Sequence, residues 1–305
     1  MTSKTFDLNE RSICPVEKKC SFQFLYKSKY NHYNLPIYKC ETCGLQKTYP
    51  RPKQVEDLYQ EDYYKGKADY SYTDERKELK FHSYVWDSRL ALIQKRNPSG
   101  NLLEVGSSFG GFLSRAKSLG YKVQGVEISK YSSEYANQYG ISTVCGELLK
   151  TNLPPNFYDV IVLNEVIEHL PNPKESLNLL SSLLKKNGLL IVQTANFEGW
   201  QAQTQKENYH YYLPGHFFYY TESILKEALS IRGISHFEIF YGSDISLISK
   251  LLKSRGKFKS LLDYLNWFKT IYYHLKSKIK WKGFPLTSGF VLYAYKGGRD
   301  EDNEE

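Results

Sequence analysis

Glu104 stands two residues before Gly106, and Glu127 closes an apolar run about one βα unit later; an acid beside a glycine turn and another at the next strand's end suit a nucleoside ligand. Within the stretch 101–129, NLLEVGSSFGGFLSRAKSLGYKVQGVEIS, Leu102, Leu103 and Val105 make an apolar run of the kind buried in a parallel sheet, and Gly106, Gly110 and Gly111 follow at once. Glycine lacks Cβ, so the chain can turn with positive φ and let a ligand approach closely. A helix opening near Gly110 then offers unpaired N–H groups and its positive dipole end to an anionic group. Val123 to Val126 forms the next strand, and Glu127 at its end is placed to accept hydrogen bonds from a ribose diol. The turn lacks the middle glycine of the dinucleotide pattern Gly-x-Gly-x-x-Gly. Glu104 would repel a pyrophosphate, whereas it suits a ligand with an ammonium group and a sulfonium.

A second constellation lies at 158–173, YDVIVLNEVIEHLPNP, where a central strand ends at Asn164 and Glu165, the edge at which open parallel sheets bind ligands. Glu168 and His169 follow, and an imidazole near neutral pKa can take a hydroxyl proton; a helix-entry hydrogen bond to a loop is the alternative use of His169. His216 sits in an aromatic segment, 209–221, immediately before a helix that starts at Thr221-Glu222. Packing is the alternative reading of His216.

Glu104-Val-Gly106-Ser-Ser-Phe-Gly110 resembles the first motif of the class I S-adenosylmethionine-dependent methyltransferases, departing from its commonest form at Ser108, where another glycine is usual. Glu165-Val-Ile-Glu168-His169-Leu-Pro171 is similar to the fourth-strand motif of the same family, and it falls about sixty residues after Gly106, as that family requires. The resemblance implies that Glu104, Gly106, Ser107, Phe109, Gly110, Glu127, Ile128, Glu147, Asn164 and Glu165 hold S-adenosylmethionine, with Glu147 meeting the adenine amino group unless it is simply a solvated carboxylate. The segment 209–221 resembles the His-x-x-x-(Tyr/Phe)-(Ser/Thr) signature of relatives that methylate sugars and quinone precursors. Some of those relatives carry a glutamate before the histidine; Gly215 stands there instead, which argues against a His–Glu base. The implied reaction is direct in-line methyl transfer to an oxygen, with a carbon as the alternative acceptor atom, and with His216 or His169 removing the proton.

Four of the five cysteines lie before residue 44. Cys40-Glu-Thr-Cys43-Gly44 has the spacing and trailing glycine of a zinc knuckle, whereas Cys14 and Cys20 are separated by five residues instead of the usual two to four. Either that loop bulges or His32 replaces one ligand; free buried thiols are the alternative to a structural zinc on Cys14, Cys20, Cys40 and Cys43. A subset of the resembled methyltransferases carries an N-terminal four-cysteine element of this kind. Cys145 reads as a buried small apolar side chain.

These residues must be positioned by an α/β fold: a seven-stranded Rossmann-like methyltransferase sheet with helices on both faces, behind a small N-terminal zinc-binding element. At 305 residues and 35.6 kDa the chain divides into a zinc-binding element at 1–53, a helical linker at 54–97, the methyltransferase domain at 98–296 and a disordered acidic tail at 297–305. In the linker, 55–64 and 81–96 read as helices, and the tyrosines at 63, 64, 70 and 72 are set either to line the cofactor mouth or to pack. A helix over 177–186 stopped by Asn187-Gly188, then strands at 189–193, 236–241 and 289–295, complete the expected sheet.

Within the domain, 244–285 is a basic helical insertion: Lys250 to Lys282 holds ten Lys or Arg against one acid, Asp263, a net charge of +9 (10 − 1). Leu261, Leu262, Leu265, Phe268, Ile271, Tyr272 and Leu275 recur at helical spacing between those charges. The usual outcome packs such a stripe on the core and leaves a solvated basic face. The alternative lays it on an anionic membrane, anchored by Trp267 and Trp281, which would make the protein peripheral at the inner face of the membrane.

A polar start and the lack of an apolar run near ~18 residues lead us to expect a cytoplasmic protein without a cleaved signal. The resemblance to relatives with cysteine-rich N-termini implies a small-molecule, sugar-nucleotide or glycan acceptor as the partner, in particular a sugar of surface polysaccharide synthesis. A quinone or phenol acceptor and a non-catalytic cofactor-binding module are the rivals. A nucleic-acid substrate is disfavoured by the acidic tail and by the lack of a target-base motif after the fourth strand.

Overall fold

The computed structural model describes residues 14–17, 20–30, 32–50, 58–59, 61–66, 74–255, 258 and 260–297. The tyrosines at 70 and 72, residues 55–57 and 60 of the helix expected at 55–64, and nearly all of the acidic tail lie outside the described residues.

Three antiparallel strands lead, β1 (Phe22–Lys27), β2 (Pro36–Cys40) and β3 (Gln46–Thr48), followed by the single turn α1 (Glu61–Tyr64) and by α2 (Leu79–Arg96). The chain then alternates through β4 (Asn101–Val105), α3 (Gly111–Ser118), β5 (Lys122–Glu127), α4 (Lys130–Gln138), β6 (Thr143–Cys145), β7 (Tyr158–Asn164), α5 (Pro173–Leu183) and β8 (Leu184–Ala195). After these come α6 (Trp200–Gln205), β9 (Phe218–Tyr219), α7 (Glu222–Ser230), β10 (Ile234–Tyr241), α8 (Leu247–Arg255), α9 (Asn266–Lys276), the short hairpin β11 (Lys280–Trp281) and β12 (Phe284–Pro285), and β13 (Gly289–Lys296).

Seven strands form one sheet in the order β10-β13-β8-β7-β4-β5-β6, with β13 antiparallel to both its neighbours and the other pairings parallel. β4, β7, β13 and the second half of β8 are buried on both sides, so they read as near-continuous apolar runs whose alternate residues serve opposite layers. Leu102, Val160, Val162, Leu189 and Ile191 pack with Leu90 and Ile93 of α2 and with Phe112 and Leu113 of α3. Leu103, Ile161, Leu163, Leu190 and Val192 pack with Leu177 and Leu180 of α5 and with Leu225 and Leu229 of α7. The expected α/β sheet with helices on both faces is thus present. The chain order reverses between β4 and β7, which opens a crevice at their carboxyl ends.

Three expectations fail. The helix expected over 177–186 ends at Leu183, and Asn187, at φ 61°, bends the chain inside the start of β8 instead of capping a helix. A Cβ on Gly188 would stand 2.9 Å from the Lys185 carbonyl oxygen, so the glycine serves this tight bend in the strand. Cys145 is exposed, not buried, because β6 is the edge strand and the residue closes it. The apolar stripe of the basic insertion does not pack on the core: Leu261, Leu262 and Phe268 are 87, 76 and 72% exposed, and Leu265, Tyr272 and Leu275 are exposed as well. The reason is steric order, since α8 occupies the flank of α2 and α9 packs on α8, leaving the stripe no further layer to meet.

The short strand β9 pairs with β3, extending the N-terminal sheet to the order β1-β2-β3-β9. The cysteine-bearing segment is therefore stitched to the aromatic segment that carries His216.

Candidate active site

The turn after β4 takes positive φ at Gly106 (72°), Ser108 (49°) and Gly110 (78°). Ser108 thus occupies a left-handed position that glycine would fill without strain, which accounts for the usual residue there. A Cβ on Gly106 would come 2.4 Å from Val166 Cγ2, so the glycine allows the turn to touch the segment leaving β7. The turn is pinned to β5, because the N–H groups of Gly106 and Ser107 donate to the Val126 carbonyl at 2.8 and 3.2 Å.

Glu127 accepts hydrogen bonds from the Ser108 N–H at 2.8 Å, the Ser129 N–H at 2.9 Å and the Tyr64 hydroxyl at 3.3 Å. Burial raises its pKa, and these donors partly offset that rise. Glu104 accepts from Asn164 Nδ2 at 3.0 Å through one oxygen, while its other oxygen is buried without a partner. Burial, with the like charges of Glu75 and Glu127 nearby, pushes its carboxyl well above the usual range. Glu75, just before α2, accepts from the Gly111 N–H at 3.4 Å, and burial raises it to about 7. Three buried carboxyl groups around one glycine turn are costly unless protonated or faced by a cation. An orphaned carboxylate oxygen in that group fits a ligand with an ammonium and a sulfonium, which is the fit expected for S-adenosylmethionine.

A cavity of about 550 Å³ opens at the crevice. Of the residues selected from sequence, Gly106, Glu127, Ile128, Glu147, Asn164, Glu165, His169 and His216 line it together. Glu104, Ser107, Phe109 and Gly110 do not. Ser107 packs under the turn against Gly125, where a Cβ would meet its Oγ at 2.4 Å. Phe109 turns into a cluster with Tyr64, Tyr131 and Tyr135, its ring face covered by the Arg76 guanidinium at 3.8 Å. Glu147 pairs with Lys150 at 2.7 Å.

The opposite end of the cavity is built by the segments after β7 and before β9. The rings of His169 and His216 lie 4.7 Å apart, nearly perpendicular. His169 Nδ1 lies 2.6 Å from the Gly215 carbonyl oxygen, with the Tyr59 hydroxyl at 2.8 Å, and His216 Nδ1 lies 3.0 Å from the Tyr211 carbonyl. A carbonyl only accepts, so Nδ1 carries the proton in both rings and Nε2 keeps its lone pair. Burial holds both imidazoles neutral, lowering His169 to about 4 and His216 well below its ordinary value. Glu165 adopts φ 54°, a left-handed position for an acidic residue, and is fixed by Gln193 through its N–H at 3.0 Å and its carboxylate at 2.7 Å.

Sequence reasoning missed Arg89. This fully buried side chain on α2 donates to the Asp244 carboxylate at 2.7 and 2.8 Å and to Gln193 Oε1 at 2.5 Å, and it also donates to Asn164 Oδ1. The Asn164 amide is thereby oriented, with its nitrogen left to donate to Glu104. His82, Val85, Trp86 and Arg89 share one helical face and line the cavity, a mixed aromatic and polar stripe that the spacing i, i+3, i+4, i+7 could have revealed. Tyr59, Tyr63, Tyr64 and Tyr211 also line it.

Beside the N-terminal sheet, the sulfurs of Cys14, Cys20 and Cys43 lie within 4.8 Å of one another, with Cys43 at 3.5 Å from Cys14 and 3.7 Å from Cys20, and Cys40 stands outside that group. Cys40 is buried and interacts with both Cys20 and Cys43. His32 is exposed against the Tyr33 ring and takes no part in this cluster, so the proposed histidine replacement is not made. Burial pushes the Cys20 thiol up to about 12.

A family model described as a methyltransferase domain matches residues 76–235, just over half of the chain. An uncharacterised protein of Methanocaldococcus jannaschii is 27% identical over 177 residues, covering 56% of this chain and 83% of its own. A ubiquinone biosynthesis O-methyltransferase of Marinobacter nauticus is 30% identical over 120 residues, covering 36% of this chain and 48% of its own, so only about half of that relative is spanned. Among solved structures, phosphoethanolamine N-methyltransferase 2 of Haemonchus contortus, in complex with phosphomonomethylethanolamine and S-adenosylhomocysteine, superposes with a TM-score of 0.56 at 15% identity, covering 92% of this chain and 69% of that one. A SAM-dependent methyltransferase of Archaeoglobus fulgidus gives 0.50 at 19% identity, covering 72% and 97%. These structural likenesses establish a shared fold.

The raised carboxyl of Glu75 gives a signed pH effect. Below pH 4.5 the group is protonated in both folded and unfolded chains; as pH rises toward 7 only the unfolded chain ionises, so cofactor-free protein loses on the order of 3 kcal/mol from this residue. Chemical denaturation of Glu75→Gln should show a flatter stability profile than wild type between pH 4.5 and 7.5 and greater stability at the upper end. Parallel profiles for the two proteins would contradict it.

Proposed function

We propose, from the premise that the chain belongs to the methyltransferase-domain family and is an S-adenosylmethionine-dependent methyltransferase of class I, that it methylates an oxygen of a sugar acceptor in surface polysaccharide synthesis. One observation carries the reading: the glycine turn with Glu127 and the neutral His169–His216 pair face a single cavity. When bound, S-adenosylmethionine supplies an electrophilic methyl group on a sulfonium. Glu127 would accept the ribose hydroxyls and Glu147 would face the adenine, while Glu104, behind the cavity wall, would answer the positive charge from beneath the turn with its unpaired oxygen. His216 or His169 takes the acceptor proton, either ring presenting Nε2 because a backbone carbonyl holds Nδ1. Their lowered pKa values keep them in the base form at neutral pH. Trp86, Tyr59 and Tyr211 supply flat apolar faces of the kind that sugar rings stack on.

The ubiquinone relatives support a second acceptor class, a catechol or phenol. A panel of sugar nucleotides and phenolic acceptors, incubated with methyl-labelled cofactor and followed by mass spectrometry, separates the two. We expect label on a sugar oxygen, and Glu127→Ala should raise KM for the cofactor at least tenfold. Label on phenols alone would favour the second class, and no label on any acceptor would favour a cofactor-binding module.

The cysteine cluster supports a structural zinc. Three clustered thiols, with Cys40 beside them at the end of β2, supply thiolate donors of the kind such a site uses, and a dication would offset the cost of burying them as thiolates. Elemental analysis should find one zinc per chain, lost together with at least several degrees of Tm in Cys43→Ser; a metal-free wild-type chain of normal stability would contradict it.

The exposed stripe of the insertion supports peripheral contact with an anionic membrane. Exposed Leu, Phe and Tyr side chains stand among lysines, and Trp281 is exposed beside them. Each cation near such a surface is worth roughly 1 kcal/mol. Among the described residues no helix is long and apolar enough to cross a membrane. Vesicles containing phosphatidylglycerol should sediment the protein at low salt, and Leu262→Glu with Phe268→Glu should release it. A protein that stays in the supernatant would overturn the contact.

A further inference from the structure

Glu168, His169 and His216 form, we propose, a binding site for one divalent cation of the first transition row, placed to hold the acceptor's oxygens; this rests on the reading of the cavity as the acceptor pocket. One ligand atom from each residue lies within 4.8 Å of the other two, close enough to share an ion after a small adjustment. Two independent features point the same way.

The first is Glu168. Its side chain is 2% exposed, and neither carboxylate oxygen makes a well-formed hydrogen bond, with only the Thr194 hydroxyl and the Glu165 carboxyl close by. A buried carboxylate with empty lone pairs is among the most costly groups a fold can hold, and the Glu165 carboxylate beside it adds repulsion. A cation between Glu168 and the imidazoles removes both penalties. The second is the way the rings are held. Nδ1 of His169 and of His216 each faces a backbone carbonyl, of Gly215 and Tyr211, which fixes the tautomer, sets the ring orientation and leaves Nε2 to ligate. Histidines that bind metals are oriented in this manner by their second nitrogen.

The donor set selects the ion. Two imidazoles and one carboxylate suit Mn(II), Fe(II), Co(II) or Zn(II), whereas Mg(II) and Ca(II) prefer a shell of oxygens. Three protein ligands leave coordination positions open, and His169 and His216 line the cavity, so those positions face the acceptor. A cation there would lower the pKa of a bound hydroxyl and could grip two neighbouring oxygens of a vicinal diol at once. With Nε2 of both rings on the ion, the histidines hold the acceptor instead of taking its proton, which passes to the Glu165 carboxylate lining the same cavity and on to water. The new C–O bond forms as the C–S bond breaks, and sulfur keeps the electron pair; no oxidant or reductant is required.

Manganese distinguishes this site from the cysteine cluster, since Mn(II) has little affinity for thiolates. Full-length protein stripped with EDTA would be titrated with MnCl2 while free Mn(II) is followed by electron paramagnetic resonance. We expect one Mn(II) per chain, binding weakened at least tenfold in Glu168→Gln and in His216→Asn, and unchanged uptake in Cys43→Ser. Affinity for S-adenosylhomocysteine, expected within twofold of wild type in Glu168→Gln, shows that the variant is folded; should it be lost, His216→Asn decides. Absence of Mn(II) uptake by wild type, or equal uptake by both site variants, would overturn the proposal. Wild type that binds S-adenosylhomocysteine but no Mn(II) sinks the metal site alone, whereas failure to bind S-adenosylhomocysteine sinks the functional reading beneath it.

Discussion

Arg89 is the charge on which the arrangement of the cavity depends. Its guanidinium is buried, and removing such a group from water is repaid only by near-complete pairing. Asp244 supplies the counter-charge and is itself held by the Tyr293 hydroxyl at 2.6 Å, while Gln193 and Asn164 take the remaining donors. One side chain thereby ties α2 to the ends of β7 and β8, to the loop after β10 and to β13. Two of its partners reach the chemistry directly: Asn164 passes a donor to Glu104, and Gln193 passes one to Glu165. Loss of either half of the Arg89–Asp244 pair would leave an uncompensated buried charge, a larger effect than the loss of any single surface contact.

Around that fixed edge the molecule collects groups that are costly to bury. Glu75, Glu104 and Glu127 surround the glycine turn, and Glu168 lies beside two neutral imidazoles. Such clusters are poor for stability and useful for binding, because a cationic ligand or a metal ion relieves them on arrival. The supporting frame comes from elsewhere in the chain. β9 follows His216 directly and pairs with β3, the Phe217 N–H donates to the Glu168 carbonyl at 2.8 Å, and the Thr48 N–H donates to the Phe217 carbonyl at 3.1 Å. The cysteine-bearing sheet thus has a positional role: it sets the height of the histidine segment over the main sheet.

Much of this was legible in sequence, for identifiable reasons. β4 and β7 are buried on both faces, so their apolar runs stand out, and the acids at the ends of β5 and just after β7 mark the ligand edge. The boundary of α5 was misread because Asn187-Gly188 is a helix-stop signal that also serves a bend within a strand, and only pairing with β7 decides between them. Glu75 sits in a charged run that reads as a solvated face, and Arg89 reads as an ordinary polar position on a helix; their burial is a tertiary outcome. The stripe at 261–275 carries true helical periodicity, yet periodicity says only that one face is apolar, not what covers it.

The central claim is that a sulfonium nucleoside binds between the glycine turn and Glu127. Isothermal calorimetry of the purified full-length chain with S-adenosylhomocysteine tests it most directly. The account predicts one site per chain for that compound and no heat with a nicotinamide dinucleotide. Dinucleotide binding without any response to S-adenosylhomocysteine, from protein shown to be folded, would contradict it.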